Sequence, residues 1–140
     1  MFRMDLSQIP LFAMLRGRLG YLSQRQQVIA QNVANSDTPG FLPKDLKPFS
    51  FEAQMKNQAT SEASVTHPGH IPLTRSQGGL TSGWNPVVQR DSETSLDGNS
   101  VVLEEQMMKL SDARMNYDAA IGFYQKSLGL LRLAARAPGR

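Results

Sequence analysis

Residues 103–131 read LEEQMMKLSDARMNYDAAIGFYQKSLGLL, and their spacing decides the fold class. Leu103, Leu110, Tyr117, Tyr124 and Leu131 recur every seven residues without a break. Met107, Ile121, Leu128 and Ala135 fill a companion track on which only Arg114 is polar. Nine of the ten positions on these tracks are apolar or aromatic over five heptads, which chance rarely sustains and which marks a helix seam. The spacing predicts a helix over 100–137. Asp97-Gly98-Asn99-Ser100 supplies its start, with Asn99 or Ser100 as the N-cap. Glu104 and Glu105 near the first turn and Arg132 and Arg136 near the last suit the helix dipole, and Pro138-Gly139 ends the run.

Working back to the other end of the chain, residues 7–35 read as a second amphipathic helix, roughly 40 Å long at 1.5 Å per residue. Leu15, Leu22 and Ile29 lie seven apart, and Phe12, Leu19 and Val33 form the second track with Gln26 as its polar member. Gly17 and Gly20 either weaken this helix or allow a close helix approach. The stop is explicit, because Asn32 to Phe41 packs Asn, Ser, Asp, Thr, Pro and Gly into one stretch. Asn35 is suited to the left-handed conformation that closes a helix. Thr38-Pro39-Gly40-Phe41 places Pro and Gly at the centre of a type II turn, where Gly accepts the positive φ. If the two helices pair antiparallel, Gln26 and Arg114 fall near the middle of their seams and could meet; otherwise Arg114 reaches Asp118 or runs outward into water.

Between the helices, residues 42–99 hold Pro43, Pro48, Pro68, Pro72 and Pro86, which rule out long helices there. A short helical turn over 49–58 and a small hairpin over 65–80 with Gly78-Gly79 as its turn are the most regular structure expected. The chain thus divides into 1–41, helix and turn; 42–99, a loop-rich segment with little regular structure; and 100–140, heptad helix and short basic tail. The expected fold class is mainly α, two long terminal helices paired as a coiled-coil-like hairpin. Tyr21, Phe123 and Leu130 lie off both seams and leave apolar surface for something else to cover.

Composition narrows function by exclusion. The 140 residues contain no Cys, so disulfides and thiolate metal sites are out. The net charge of +3 is spread along the chain with no block of like charge, giving nucleic acid or a polybasic membrane contact little support. The mean hydropathy is −0.35, no apolar run approaches the ~20 residues of a membrane span, and no apolar signal-peptide core stands at the N-terminus. A soluble chain that does not use the general secretory route is expected. His67 and His70 could share a metal, but neither Cys nor a close acid joins them, so they read as loop imidazoles. No nucleophile–base order and no phosphate-cradling glycine loop appears, and Met107, Met108 and Met115 read as packing. No catalytic, cofactor or metal residue and no small-molecule substrate is expected. Two amphipathic helices around a poor core former point instead to a subunit completed by copies of itself.

Residues 27–41, QVIAQNVANSDTPGF, resemble the N-terminal motif of the flagellar rod and hook proteins: an apolar helix, Ala-x-Asn-Val-Ala-Asn, then Thr-Pro-Gly-aromatic. Lys44-Asp45-Leu46 with Phe49, Thr66-His67-Pro68-Gly69-His70-Ile71 and Leu96-Asp97-Gly98-Asn99-Ser100-Val101 resemble, in order, features of the proximal-rod subgroup of that family. Gly69, where that subgroup is often basic, Gly17 and Gly20 in the first helix, and the basic tail depart from the pattern. The resemblance implies a structural rod subunit whose terminal helices assemble into a hollow, torque-transmitting tube lining an export channel. It implies export through the flagellar type III apparatus, a periplasmic location, and as partners copies of itself, other rod proteins and the MS-ring and export-gate junction at the rod base. On this reading the N-terminal assembly seam is Leu15, Leu19, Leu22, Gln26, Ile29 and Val33. The motif turn is Asn32, Asn35, Thr38, Pro39, Gly40 and Phe41, and Asp97, Gly98 and Asn99 lead into the second helix. The C-terminal seam is Leu103, Met107, Leu110, Arg114, Tyr117, Ile121, Tyr124, Leu128 and Leu131. The competing readings are a coiled-coil adaptor or chaperone, a small metalloenzyme built on His67 and His70, and another rod subunit of the same family.

Overall fold

The structure is a computed structural model and describes residues 9–50, 52 and 84–136. The expected turn over 49–58, apart from residues 49, 50 and 52, the hairpin over 65–80, and His67 and His70 lie outside the described residues.

Helix α1 runs from Pro10 to Ala34 and helix α2 from Leu103 to Ala135, each a few residues shorter than the periodicity predicted. α1 starts on Pro10 at its first position, where the missing N–H costs nothing because no partner exists there anyway. The helices run antiparallel. Phe12 meets Tyr124 edge to face at 5.3 Å, Arg25 meets Asp112, and Asn32 meets Gln106, so numbers rise along one helix as they fall along the other. Between the helices, strand β1, Lys44–Asp45, pairs antiparallel with strand β2, Val87–Val88.

α1 is the spine. Phe12, Leu15, Tyr21, Leu22, Val28 and Ile29 are buried along it, each fully buried large side chain worth about 1.5–3 kcal/mol. α2 answers with small residues: its buried positions are Gln106, Ala113 and Ala120. The contact line of α2 therefore departs from the expected one. Leu110, Tyr117, Tyr124 and Leu131 are half-buried as one track, but the second track is Gln106, Ala113 and Ala120, one residue earlier than Met107, Arg114 and Ile121. Leu103, Met107 and Arg114 are exposed, and Ile121 and Leu128 are half-buried. The physical reason is complementarity. α1 already fills the interface with bulk, and alanine opposite lets the helices close up.

Residues flanking the strands cover the other side of α1. Tyr21 lies 5.6 Å from both Phe49 and Trp84, over a cluster that includes Leu22, Val28 and Leu46. Tyr21, expected to await a partner molecule, is thus satisfied within the chain, and burial pushes its phenol pKa up. Phe123 and Leu130 do stay exposed, joined by Met108, Met115 and Leu133. Gly122 and Gly129 sit on this uncovered side with nothing within 4 Å of a would-be Cβ. Each costs the helix about 1 kcal/mol relative to Ala. No helix among the described residues is long and apolar enough to cross a membrane.

Candidate assembly site

The end of α1, the motif turn, the two strands and the start of α2 converge at one end of the hairpin. The turn forms as its residues dictate. Gly40 has φ +71°, and the Phe41 N–H donates to the Thr38 carbonyl at 3.2 Å, closing a type II turn. Asn35 does not take the left-handed conformation expected of it (φ −104°). α1 instead ends with the Asn35 N–H shared between the Gln31 and Asn32 carbonyls.

Asp97, Gly98 and Asn99 serve a different purpose from the capping expected at the start of α2. The helix begins only at Leu103, its N-cap is Val102, and no side chain caps it. Asn99, buried, reaches back and donates from Nδ2 to the carbonyls of Asn35 (3.0 Å) and Thr38 (2.8 Å). The Gly40 N–H donates to the Asp97 carbonyl, and the Ser100 N–H to that of Phe41. Gly98, at φ +85°, brings its backbone so close that a Cβ there would stand 3.4 Å from the Gly40 Cα. Two positive-φ glycines face each other across this clasp, so a side chain at either is strained.

Beside the clasp runs a buried polar chain. Asn32 donates from Nδ2 to the Lys44 carbonyl (2.7 Å) and to Gln106 Oε1 (2.9 Å), while its Oδ1 accepts the Lys44 N–H (3.0 Å). Gln106, wholly buried, donates onward from Nε2 to Asp91 Oδ2 at 2.7 Å. Asp91 also accepts from the Val102 N–H and from Lys109 Nζ at 2.8 Å. Desolvation alone would raise the Asp91 pKa, but the hydrogen bonds from Lys109, Gln106 and the Val102 N–H outweigh it and hold it below the usual carboxylate value. The Asp91 carboxylate at the start of α2 supplies the negative charge that no capping side chain provides. Nearby, Ser92 donates through its hydroxyl to the Glu105 carboxylate.

A second tie lies farther along α1. Arg25 grips Asp45 through Nε (3.0 Å) and Nη2 (3.1 Å), and its Nη1 stands 3.5 Å from Asp112. The hydrogen bond that Arg25 donates to Asp45 raises the Arg25 pKa further. Among the described residues, Gln26 and Arg114 form no hydrogen bond, nor does Arg114 pair with Asp118; Arg114 points to solvent. The sequence reading missed Arg25, Asp91, Gln106 and Lys109. The available signal was the alignment of polar residues on an antiparallel pair: Asn32 opposite Gln106, Arg25 opposite Asp112.

On α1, Leu15, Leu22 and Ile29 are buried, Leu19, Gln26 and Val33 half-buried, and Asn32 sits at the centre of the polar chain. Thr38, Pro39 and Gly40 are exposed at the tip, with Phe41 half-buried. A cleft of about 380 Å³ beside α1 is lined by Arg18, Tyr21, Arg25, Asp45 and Asn116, but its carboxylate is already bound by Arg25. The described residues hold no group of three or more side chains able to bind a metal ion.

A helical hairpin whose turn is locked by side-chain amides, with its polar residues spent on each other, has the build of a structural subunit. The model of the flagella basal body rod protein family matches residues 14–41, which run through α1 and the motif turn. The chain is 34% identical to the flagellar basal body rod protein FlgB of Agrobacterium fabrum over 114 residues, 81% of this chain and 84% of that protein. It is 30% identical to FlgB of Proteus mirabilis over 111 residues, 75% and 78% of the two chains. It is also 30% identical to FlgB of Escherichia coli K12 over 112 residues, 74% and 76% of the two. This chain belongs to the flagellar basal body rod protein family.

Proposed function

We propose that this rod-family chain works mechanically rather than catalytically, as a subunit of the proximal rod. Its two helices assemble side by side with those of neighbouring subunits into a hollow axial tube that transmits torque and lines the export channel. One observation carries the reading: α2 is packed on one side only, and its other side exposes Met108, Met115, Phe123, Leu130 and Leu133. Monomers seldom leave a contiguous stripe of this size in water. The clasp and the buried polar chain, together a latch at the turn end, support the same reading, because a subunit under torque needs its helices held in fixed register. Asn32, Asn99 and Gln106 fix that register at the turn end.

The motif turn and both seams named from the sequence are proposed as contacts within and between subunits. Partners are copies of the chain, other rod proteins, and the MS-ring and export-gate junction at the rod base. Passage through the flagellar type III apparatus and assembly in the periplasm complete the proposal. Hairpins with few buried large side chains on α2 suit a chain that must be threaded unfolded and refold at its destination. The test is complementation of a non-motile strain lacking its own copy of this chain. Restored swimming with the protein in purified basal bodies is the expected result; a protein found only in the cytosolic fraction of swimming cells overturns the proposal.

A further inference from the structure

The uncovered face of α2 is polarised in charge as well as apolar. Before Ala119 the helix carries Glu104, Glu105, Asp112 and Asp118, of which Glu105 accepts from Ser92 and Asp112 stands 3.5 Å from Arg25, and of its two cations there, Lys109 is bound to Asp91. From Ala119 onward it carries no acid, only Lys126 and Arg132, with Arg136 just beyond its end. Along the middle of the same face lie small residues, Ser111, Ala119, Gly122 and Gly129, all exposed. Nothing among the described residues requires the two glycines to be small.

The face of α1 left open to solvent cannot serve as the occupant in another molecule. Apart from Leu11 and the small or terminal Pro10, Ala30 and Ala34, it presents Arg16, Arg18, Ser23, Gln27 and Gln31. An apolar stripe needs an apolar partner, and the described structure offers such a stripe on α2 itself. We infer that the outer face of α2 docks antiparallel on the same face of a second copy. Antiparallel packing sets the acidic half of each helix against the basic half of the other, whereas parallel packing sets like charge on like. In a register centred between Ala119 and Gly122, Met108 faces the partner's Leu133, Ala119 faces the partner's Gly122, and Lys126 comes within one turn of the partner's Asp118. The small residues fall at the crossing, where side-chain size sets the distance between helix axes.

Such a contact is isologous, so it closes on two copies and cannot propagate into a tube. The pairing stands independently of the rod reading; only its consequence rests on it. If the same face is used in the tube, the closed pair keeps unassembled subunits from polymerising before they reach the rod.

Because the natural chain has no Cys, single cysteines can map the contact in the full-length protein. Met108→Cys, Ala119→Cys and Leu133→Cys are oxidised separately and in pairs, with Ser23→Cys on α1 as the background. Expected are mixed dimers when the Met108→Cys and Leu133→Cys proteins are combined, and when the Ala119→Cys protein is combined with a Gly122→Cys protein. Sedimentation gives a second readout: Lys126→Glu should weaken the dimer about tenfold, and adding Asp118→Lys should restore it. Self-linking at Met108→Cys and Leu133→Cys, linking no greater than at Ser23→Cys, or a monomer at every concentration overturns the inference. A Lys126→Glu dimer as strong as the natural one, or one weakened but not restored by Asp118→Lys, refutes the pairing and leaves the rod reading standing.

Discussion

Asn32→Asp should cost the protein more than its near-identical shape suggests. Asn32 is a double donor and an acceptor, and Gln106 passes the same polarity on to Asp91. An aspartate at this position still accepts the Lys44 N–H but has no proton for the Lys44 carbonyl or for Gln106 Oε1. Rotating the Gln106 amide to donate to the new carboxylate would turn its oxygen onto Asp91, so the side chain cannot serve both acids. The Lys44 backbone lies on an exposed residue and can take water, whereas Gln106 is wholly buried. One stranded buried acceptor costs about 1–3 kcal/mol, and two lost hydrogen bonds about 0.5–1.5 kcal/mol each. Placing a second anion in a buried site that already holds Asp91 adds to this. A loss of about 3–5 kcal/mol is a large part of a typical 5–15 kcal/mol. Asn32→Ala, which leaves a small cavity but brings no charge, should cost less than Asn32→Asp. Urea unfolding of the full chain followed by far-UV circular dichroism measures both, and Asp91→Asn should partly relieve Asn32→Asp in a double-mutant cycle. An Asn32→Asp protein within 0.5 kcal/mol of the natural chain, or one more stable than Asn32→Ala, would refute the directional chain.

Three further outcomes follow from the same geometry. The depressed Asp91 pKa means the carboxylate contributes stability that is complete above the ordinary Asp value and is lost as pH falls through the folded value; unfolding midpoints should drop below about pH 4, and Asp91→Asn should flatten that drop. Gly40→Val should impair assembly, because a branched side chain at φ +71° costs about 1–2 kcal/mol or more; normal swimming in cells carrying only this variant would contradict it. Amide exchange should be slowest over 28–34 and 103–113, where the latch joins the elements, and fast toward Pro10 and Ala135, so equal protection at both ends of the hairpin would show that the latch does not hold it.

Much of the hairpin is legible in the sequence because helix period and turn chemistry are local. The Pro39-Gly40 turn and both long helices follow from neighbouring residues alone. The face that α2 turns inward is not local. A heptad rule sends Met107 and Ile121 to the seam because they are large, but Phe12, Leu15 and Ile29 of α1 already supply the volume, and Ala113 and Ala120 go in instead. The covering of Tyr21 by Phe49 and Trp84 depends on residues far apart in sequence, with no periodic signal to betray it. Asn99 read as a cap because Asx residues before a helix usually cap it; here its amide is spent on the end of the other helix. The polar chain was hidden because Asn32 and Gln106 look like interruptions until each is seen to satisfy the other.

The short pairing of β1 with β2 has an architectural consequence. Asp45 and Val87 lie opposite one another, and Phe49 and Trp84 both pack on Tyr21, so the segment between Phe49 and Trp84 starts and ends at one place on the hairpin. Arg25 on one side of that junction and Asn32 on the other pin it to α1. Extending a closed excursion costs little, about 0.6 kcal/mol for each doubling of its length. Its content can therefore be rewritten, lengthened or replaced by a reporter while the register of the two helices stays as it is. Such a junction separates the two-helix scaffold from a segment whose sequence can change without disturbing it.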